Sequence, residues 1–357
     1  MAYTTIDNPE LFFQTKLYTG NATDDTAITL DGDENMQPDW VWIKDRTNGN
    51  HHRLYDSVRG ATKVIYSSLT SAEGTASDGL KSFDSDGFTL GDGSDENGNS
   101  ANFASWNWKA GTSFSNDASA TGVGDIDSTG SVNTDAGFSI VSYTGNGTSG
   151  TEVAHGLGST PDLYITKSRS YAYGWGVYHK DIANDKGFFL HANDAELTGT
   201  GFRDSTAPTS SVFTLGGGSQ PYRYTSNKSG ETYIGYFFNE VKGYSKFGSY
   251  TGNGSTDGTF VYTGFKPAWV ISKRTDGSNS WRIFDTKRPG FNTASMNFVH
   301  ANLNNAEDTG DVMDLNSNGF KIRTNSTDQN TSGSPYIYMA FAESPFTNSN
   351  GIPNNAR

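Results

Sequence analysis

Pro38-Asp39-Trp40-Val41-Trp42-Ile43-Lys44 is the stretch from which the fold can be read. It returns as Pro161-Asp162-Leu163-Tyr164-Ile165-Thr166-Lys167, and again as Pro267-Ala268-Trp269-Val270-Ile271-Ser272-Lys273, each time with a lysine six residues after the proline. Trp40 and Trp42 match Leu163 and Ile165, then Trp269 and Ile271, while the intervening positions drift to Tyr164, Thr166 and Ser272. Successive side chains of a strand point to opposite faces, so this alternation predicts a half-buried strand with the tryptophan row inside its own sandwich.

Four further markers keep the same order around it. Tyr18-Thr19-Gly20-Asn21 precedes it and recurs at Tyr143 and Tyr250. Leu54-Tyr55-Asp56 follows, matched by Val177-Tyr178-His179 and Ile283-Phe284-Asp285. Gly87-Phe88-Thr89-Leu90 corresponds to Val212 to Leu215 and to Gly319 to Ile322, and each copy closes on an aromatic strand, Phe103 to Trp108, Tyr233 to Phe238 and Tyr336 to Phe341. A fixed order of motifs repeated along a chain marks tandem units. The boundaries are 1–110, 127–241 and 242–343, with a flexible Ser/Thr/Gly/Asp linker at 111–126 and a C-terminal tail at 344–357. A loose first joint and a direct second one predict a mobile first sandwich beside a rigid pair.

No copy sustains helical periodicity, and the Gly, Asn and Asp clusters between short alternating runs are turn chemistry. Each copy is too long for a propeller blade of about 40–45 residues. The fold class is therefore all-β, three tandem β-sandwiches of jelly-roll or concanavalin-like type.

The chain has 357 residues and a net charge of −13, which argues against nucleic acid as a partner because phosphate backbones demand a basic face. Aromatic residues make up 13%, enough to build cores in a chain of low hydropathy. Cysteine is absent, excluding disulfides, thiolate metal sites and a cysteine nucleophile. Met1 to Leu11 has no signal-peptide pattern, and no later segment reaches the roughly 20 apolar residues of a membrane span.

Lys44, Lys167 and Lys273 share the parity of the core row. Each either snorkels to water at a sandwich rim or enters a cleft to meet a carboxylate or ligand. Arg46 and Arg169 continue that face as repeat-equivalent binding candidates, and Arg274 is out of phase by one residue. The Tyr-Thr-Gly-Asn segments read as hairpin turns, with sequons at Asn146 and Asn253. Asp92, Asp95, Asn97 and Asn99 form an oxygen-rich run that resembles a calcium loop without its closing glutamate. His191 and His300 fall in matching Leu-His-Ala-Asn and Val-His-Ala-Asn sequences, and Asp84 with Asp86 sits in ordinary turn sequence. No metalloprotease or nucleophile-elbow motif occurs, so neither catalytic residues nor cofactors are expected.

Together the markers resemble the repeat-bearing tail-fibre and tail-type structural proteins of tailed phages, marine and cyanobacterial ones especially, with concanavalin-like or SPRY-like sandwich repeats. The resemblance rests on Tyr-Thr-Gly-Asn-Gly, His155 to Gly158 leading into Pro161-Asp162, Phe83 to Phe88, Phe341 to Phe346, and Asn348 to Arg357. It implies a virion component, assembled in the host cytoplasm and released by lysis. Its implied partners are other virion proteins and host-surface polysaccharide, with homo-oligomers in the particle. With at most Met1 to Glu10 left as an anchor, a capsid or tail decoration or adaptor role is the alternative; a lectin module outside a phage and a glycan depolymerase are weaker ones.

Overall fold

The computed structural model describes residues 3–354. Trp40–Asp45 pairs antiparallel with Asn102–Trp108 on one side and Arg53–Asp56 on the other, and Phe13–Thr19 completes the sheet beyond Asn102–Trp108. The same strand order runs through Phe138–Thr144, Thr232–Phe238, Leu163–Ser168 and Gly176–His179. It runs again through Ser245–Thr251, Pro335–Pro345, Phe265–Arg274 and Arg282–Asp285. The chain is all-β, with antiparallel pairing throughout its named strands.

A smaller sheet covers one face of each large one. In the first unit it is Thr26–Thr29, Gly87–Leu90 and Leu80–Asp84; in the second, Thr151–Ala154 with Val212–Leu215; in the third, Phe260–Tyr262, Gly319–Ile322 and Met313–Asn316. The cores enclosed this way use the positions between the tryptophans. Val41, Ile43 and Phe103 pack in a cluster with Phe88 and Leu90. Val141, Tyr164 and Phe237 do so with Val153 and Phe213, and Val270, Phe284 and Tyr338 with Leu315 and Phe320.

This reverses the face assignment. Trp40 and Trp42 point away from their own sandwich, into a central core shared with Leu163, Ile165, Tyr236, Phe238, Trp269, Ile271, Met339 and Phe341. The large sheets are buried on both faces, which is why all six residues of Trp40–Asp45 and of Leu163–Ser168 are buried. The drift to Tyr164, Thr166 and Ser272 looked like solvent exposure, yet these residues are 4%, 2% and 0% exposed.

Each unit touches both others through this core. Trp40 stacks on Tyr236 at 4.4 Å between centroids, Trp108 meets Trp269 edge-on at 5.5 Å, and Phe238 meets Phe341 at 5.9 Å. Such aromatic pairs add about 0.5–1.5 kcal/mol each beyond the area they bury. The first unit is thus clamped between its neighbours, contrary to the expectation of a mobile sandwich beside a pair. The expected linker is structured too: Thr112–Asn116 pairs with Ser128–Asn133, which extends the second unit's sheet beyond Phe138–Thr144. The third unit's closing strand runs to Pro345, and the tail then returns to the N-terminal segment, where Ser349 N donates to Asp7 Oδ1 at 2.6 Å. Positions 355–357 of the tail motif lie outside the described residues.

A core held in common predicts that damage to one unit is felt by all. Trp42→Ala, a large-to-small change at a buried site, is expected to cost about 3–5 kcal/mol. In urea, tryptophan fluorescence and far-UV circular dichroism should move together to a lower midpoint; an early transition confined to about a third of the far-UV signal would restore the picture of independent sandwiches.

Candidate functional site

Lys44, Lys167 and Lys273 end the row that faces the shared core, and all three residues are fully buried. Neither a watery rim nor a carboxylate receives them; main-chain carbonyls do. Lys44 Nζ donates to Asn50 O at 2.6 Å and, across to the third unit, to Asn304 O at 3.1 Å. Lys167 Nζ donates to Ser168 O at 2.9 Å and, across to the first unit, to Thr70 O at 3.3 Å. Lys273 Nζ donates to Arg274 O and Gly277 O, with the Phe188 ring of the second unit 5.9 Å away. Burial pushes the three ammonium groups down, to about 8, about 7 and about 8 respectively, helped at Lys167 by the charge of Arg59.

The seams therefore follow one cyclic rule: each unit reaches the one before it, and the first reaches the third. Three main-chain bonds repeat it, Glu307 N to Arg46 O at 2.9 Å, Glu73 N to Arg169 O at 2.7 Å and Glu196 N to Thr275 O at 2.7 Å. Arg46 forks onto Glu307 at 2.9 and 2.8 Å, and Arg169 onto Glu73 at 2.9 and 3.2 Å. At the third seam Thr275 takes the arginine's place. Arg274, displaced by one residue, pairs instead with Asp276 at 2.6 Å. Arg46 and Arg169 are thus seam residues and do not line an open binding face. Sequence reading missed their partners, although Ala72-Glu73, Ala195-Glu196 and Ala306-Glu307 recur in order.

Deeper in the seams, Trp106 Nε1 donates to Asp285 Oδ2 at 3.0 Å and Tyr236 OH to Asp56 Oδ2 at 2.7 Å. His179, at the matching place in the second unit, pairs through Nε2 with Tyr338 O at 3.2 Å. His191 and His300 turn out not to be equivalent. Trp175 N donates to His191 Nδ1 at 3.4 Å, whereas Trp281 N donates to Asn302 Oδ1 at 2.9 Å, so His191 corresponds to Asn302.

The calcium candidates do not converge. Asp95 pairs with Arg53, Asp92 and Asn99 face outward, and among the described residues no group of three or more His, Asp or Glu could hold a metal ion. Asn97 is spent on the main chain: its Oδ1 accepts from Asn21 N at 3.0 Å, and its Nδ2 donates to Thr23 O and Gly91 O. Asn227 does the same for the loop at Asn146, and Asn330 for the loop at Asn253. Each of these asparagines lies five residues before its closing strand (102 − 97, 232 − 227, 335 − 330), a spacing that could have revealed them. The loops they hold admit only glycine at the turn; a Cβ on Gly20 would sit 2.3 Å from Gly98 O, and one on Gly252 2.3 Å from Thr331 O. Asp84 and Asp86 likewise serve turns, accepting from Thr89 Oγ1 at 2.7 Å and Met36 N at 3.2 Å.

One concavity lies at the opposite end of the seam between the first and third units. A cleft of about 280 Å³ is lined by Glu10, Thr15 and Asp31 from the first unit and by Lys266, Phe291 and Glu343 from the third, and it adjoins a second hollow that shares Lys266, Phe291 and Glu343. Lys266 Nζ and Glu343 Oε1 pair at 2.7 Å across its wall, Lys16 pairs with Asp31, and Glu10 Oε2 accepts from Asp33 N at 3.1 Å. Three of its charges, Asp31, Lys266 and Glu343, are thus ion-paired in place, while Lys287, also in the lining, is exposed. Phe291 is 37% exposed at its lip.

The chain belongs to the DUF7483 family, a domain of unknown function, whose model matches residues 8–345. No curated protein matches the sequence.

Two consequences can be measured. Lys167 has its pKa depressed on folding, so the stability it contributes is present above the unfolded value of 10.5 and is lost as pH falls through about 7. Relative to Lys167→Met, the native protein should gain stability between pH 7 and 9.5 in urea titrations; parallel curves would mean that the ammonium is not buried. Asn227→Ala should cost about 1–3 kcal/mol, because it strands buried main-chain groups of the Asn146 loop. Faster amide exchange at Asn146 to Thr148 would localise that loss.

Proposed function

We propose that the protein is a non-catalytic structural component of a tailed-phage virion, exposed on the particle and contributing to recognition of a host-surface glycan. One observation carries the reading: the recurrent charged and polar side chains, from Lys44 and Arg46 to Asn330, are consumed in joining three sandwiches and fixing their loops. Chemistry at such groups would require releasing the contacts that hold the fold. The resemblance to phage tail repeats supplies the setting, and a rigid body with polar loops and a polar cleft suits display and contact.

No helix among the described residues is long and apolar enough to cross a membrane. Mass spectrometry of purified particles should find the protein at a fixed copy number, and antibody against it should label intact virions and slow adsorption to host cells. Labelled particles with unimpaired adsorption would favour the architectural alternative, a capsid or tail decoration protein. Absence from particles would overturn the proposal.

A further inference from the structure

The three units place equivalent residues at equivalent seams, so a departure at one seam is informative. Opposite the closing-strand residues Trp106, Tyr236 and Met339 stand Thr15, Ile140 and Phe247. In the second and third units the position is apolar and buried, as a core position should be. In the first it is a threonine, 5% exposed, whose hydroxyl has no hydrogen-bond partner. Buried polar groups without partners are uncommon and call for an explanation.

Thr15 lines the cleft between the first and third units. The smaller side chain stands where isoleucine or phenylalanine fills the equivalent position, and leaves an unanswered hydroxyl buried just behind the wall. Around it the carboxylates of Glu10 and Glu343 offer acceptor lone pairs, Lys266 offers donors, and Phe291 presents an exposed ring. Gln14, beside Thr15, is already committed, donating to Glu10 O at 2.9 Å and accepting from Gly32 N at 2.8 Å.

The geometry points to a binding site for a neutral, hydroxyl-rich ligand, a single pyranose unit of a glycan, held in the cleft between the first and third units. The match is chemical. The wall charges of Asp31, Lys266 and Glu343 are paired within the protein, so an ionic ligand taking them would have to break those pairs. Sugar hydroxyls can add to them as donors and acceptors and can also accept from the exposed Lys287. An aromatic ring at the lip covers an apolar sugar face, and a pocket of mixed apolar surface and a few convergent polar groups is the usual form of a small-molecule site. The ligand class rests on the recognition role proposed above; the cleft and the unpartnered hydroxyl do not.

The test uses the full chain and a panel of glucose, galactose, N-acetylglucosamine and rhamnose, followed by saturation-transfer NMR and titration calorimetry. At least one sugar should bind saturably. Phe291→Ala should weaken it at least about tenfold, the equivalent of one good contact. Thr15→Ile, which installs the second unit's residue, should abolish binding while leaving the thermal midpoint unchanged or higher. Tyr173→Ala, in a loop of the second unit, should bind as the native protein does. No saturable sugar, or binding that survives both cleft substitutions, would overturn the site. Because the assay uses purified protein, it stands apart from the particle experiments: a sugar bound by a protein absent from virions would sink the phage reading and leave the site intact.

Discussion

Burial of both faces of each large sheet is the constraint on which the rest of the structure depends. A sheet in a lone sandwich needs only one apolar face. Here the second face carries Trp40, Trp42, Trp108, Trp269, Phe238 and Phe341, and only the other two units cover it. An isolated unit would expose a patch of large aromatic rings, which soluble monomers rarely tolerate. Folding is thereby tied to ring closure within one chain, and closure does inside a single molecule what a homotrimer would do between subunits.

An apolar centre does not by itself set the rotation of one unit against the next. The polar seams do. Arg46 on Glu307 and Arg169 on Glu73 are planar two-point contacts that tolerate little sliding, and Lys44 and Lys167 each bind one carbonyl that only the correct neighbour presents. Charges so placed are expensive to desolvate, and hydrophobic replacements could be more stable. Their contribution is therefore best understood as geometry.

The strands, their order and the all-β class were legible because alternation and turn residues are local properties. The direction of the tryptophan row was not. Periodicity shows that Trp40 and Trp42 share a side, but both sides of this sheet are buried, and the substitutions at Tyr164, Thr166 and Ser272 that suggested water are polar groups inside a packed sandwich. The lysines were found for a sound reason, an unusual residue at a recurring position, and misread because main-chain carbonyls receive them, local ones and, for Lys167 and Lys44, others 97 and 260 residues away in sequence. The matching of His191 to His300 failed for a related cause: the letters align, while hydrogen bonding to Trp175 and Trp281 aligns the chain two residues differently. The cleft has no signature in sequence at all, since Thr15 becomes anomalous only once strand pairing sets it beside Ile140 and Phe247.

Joining the units in one chain has a consequence that identical subunits could not share. In a homotrimer any substitution appears at three seams at once, so a polar residue at a core position is paid for three times. In a single chain each seam varies separately. Arg274 can slip out of register at one, His179 can replace an aspartate in one unit, and Thr15 can open the wall at one while Ile140 and Phe247 keep the equivalent positions closed. The seam carrying Thr15 also retains its arginine fork, Arg46 on Glu307, at the far end. Rigid closure at one end and an opened wall at the other is the arrangement in which a cleft can hold its shape without a ligand, because the fork fixes the two units against each other independently of what fills the wall.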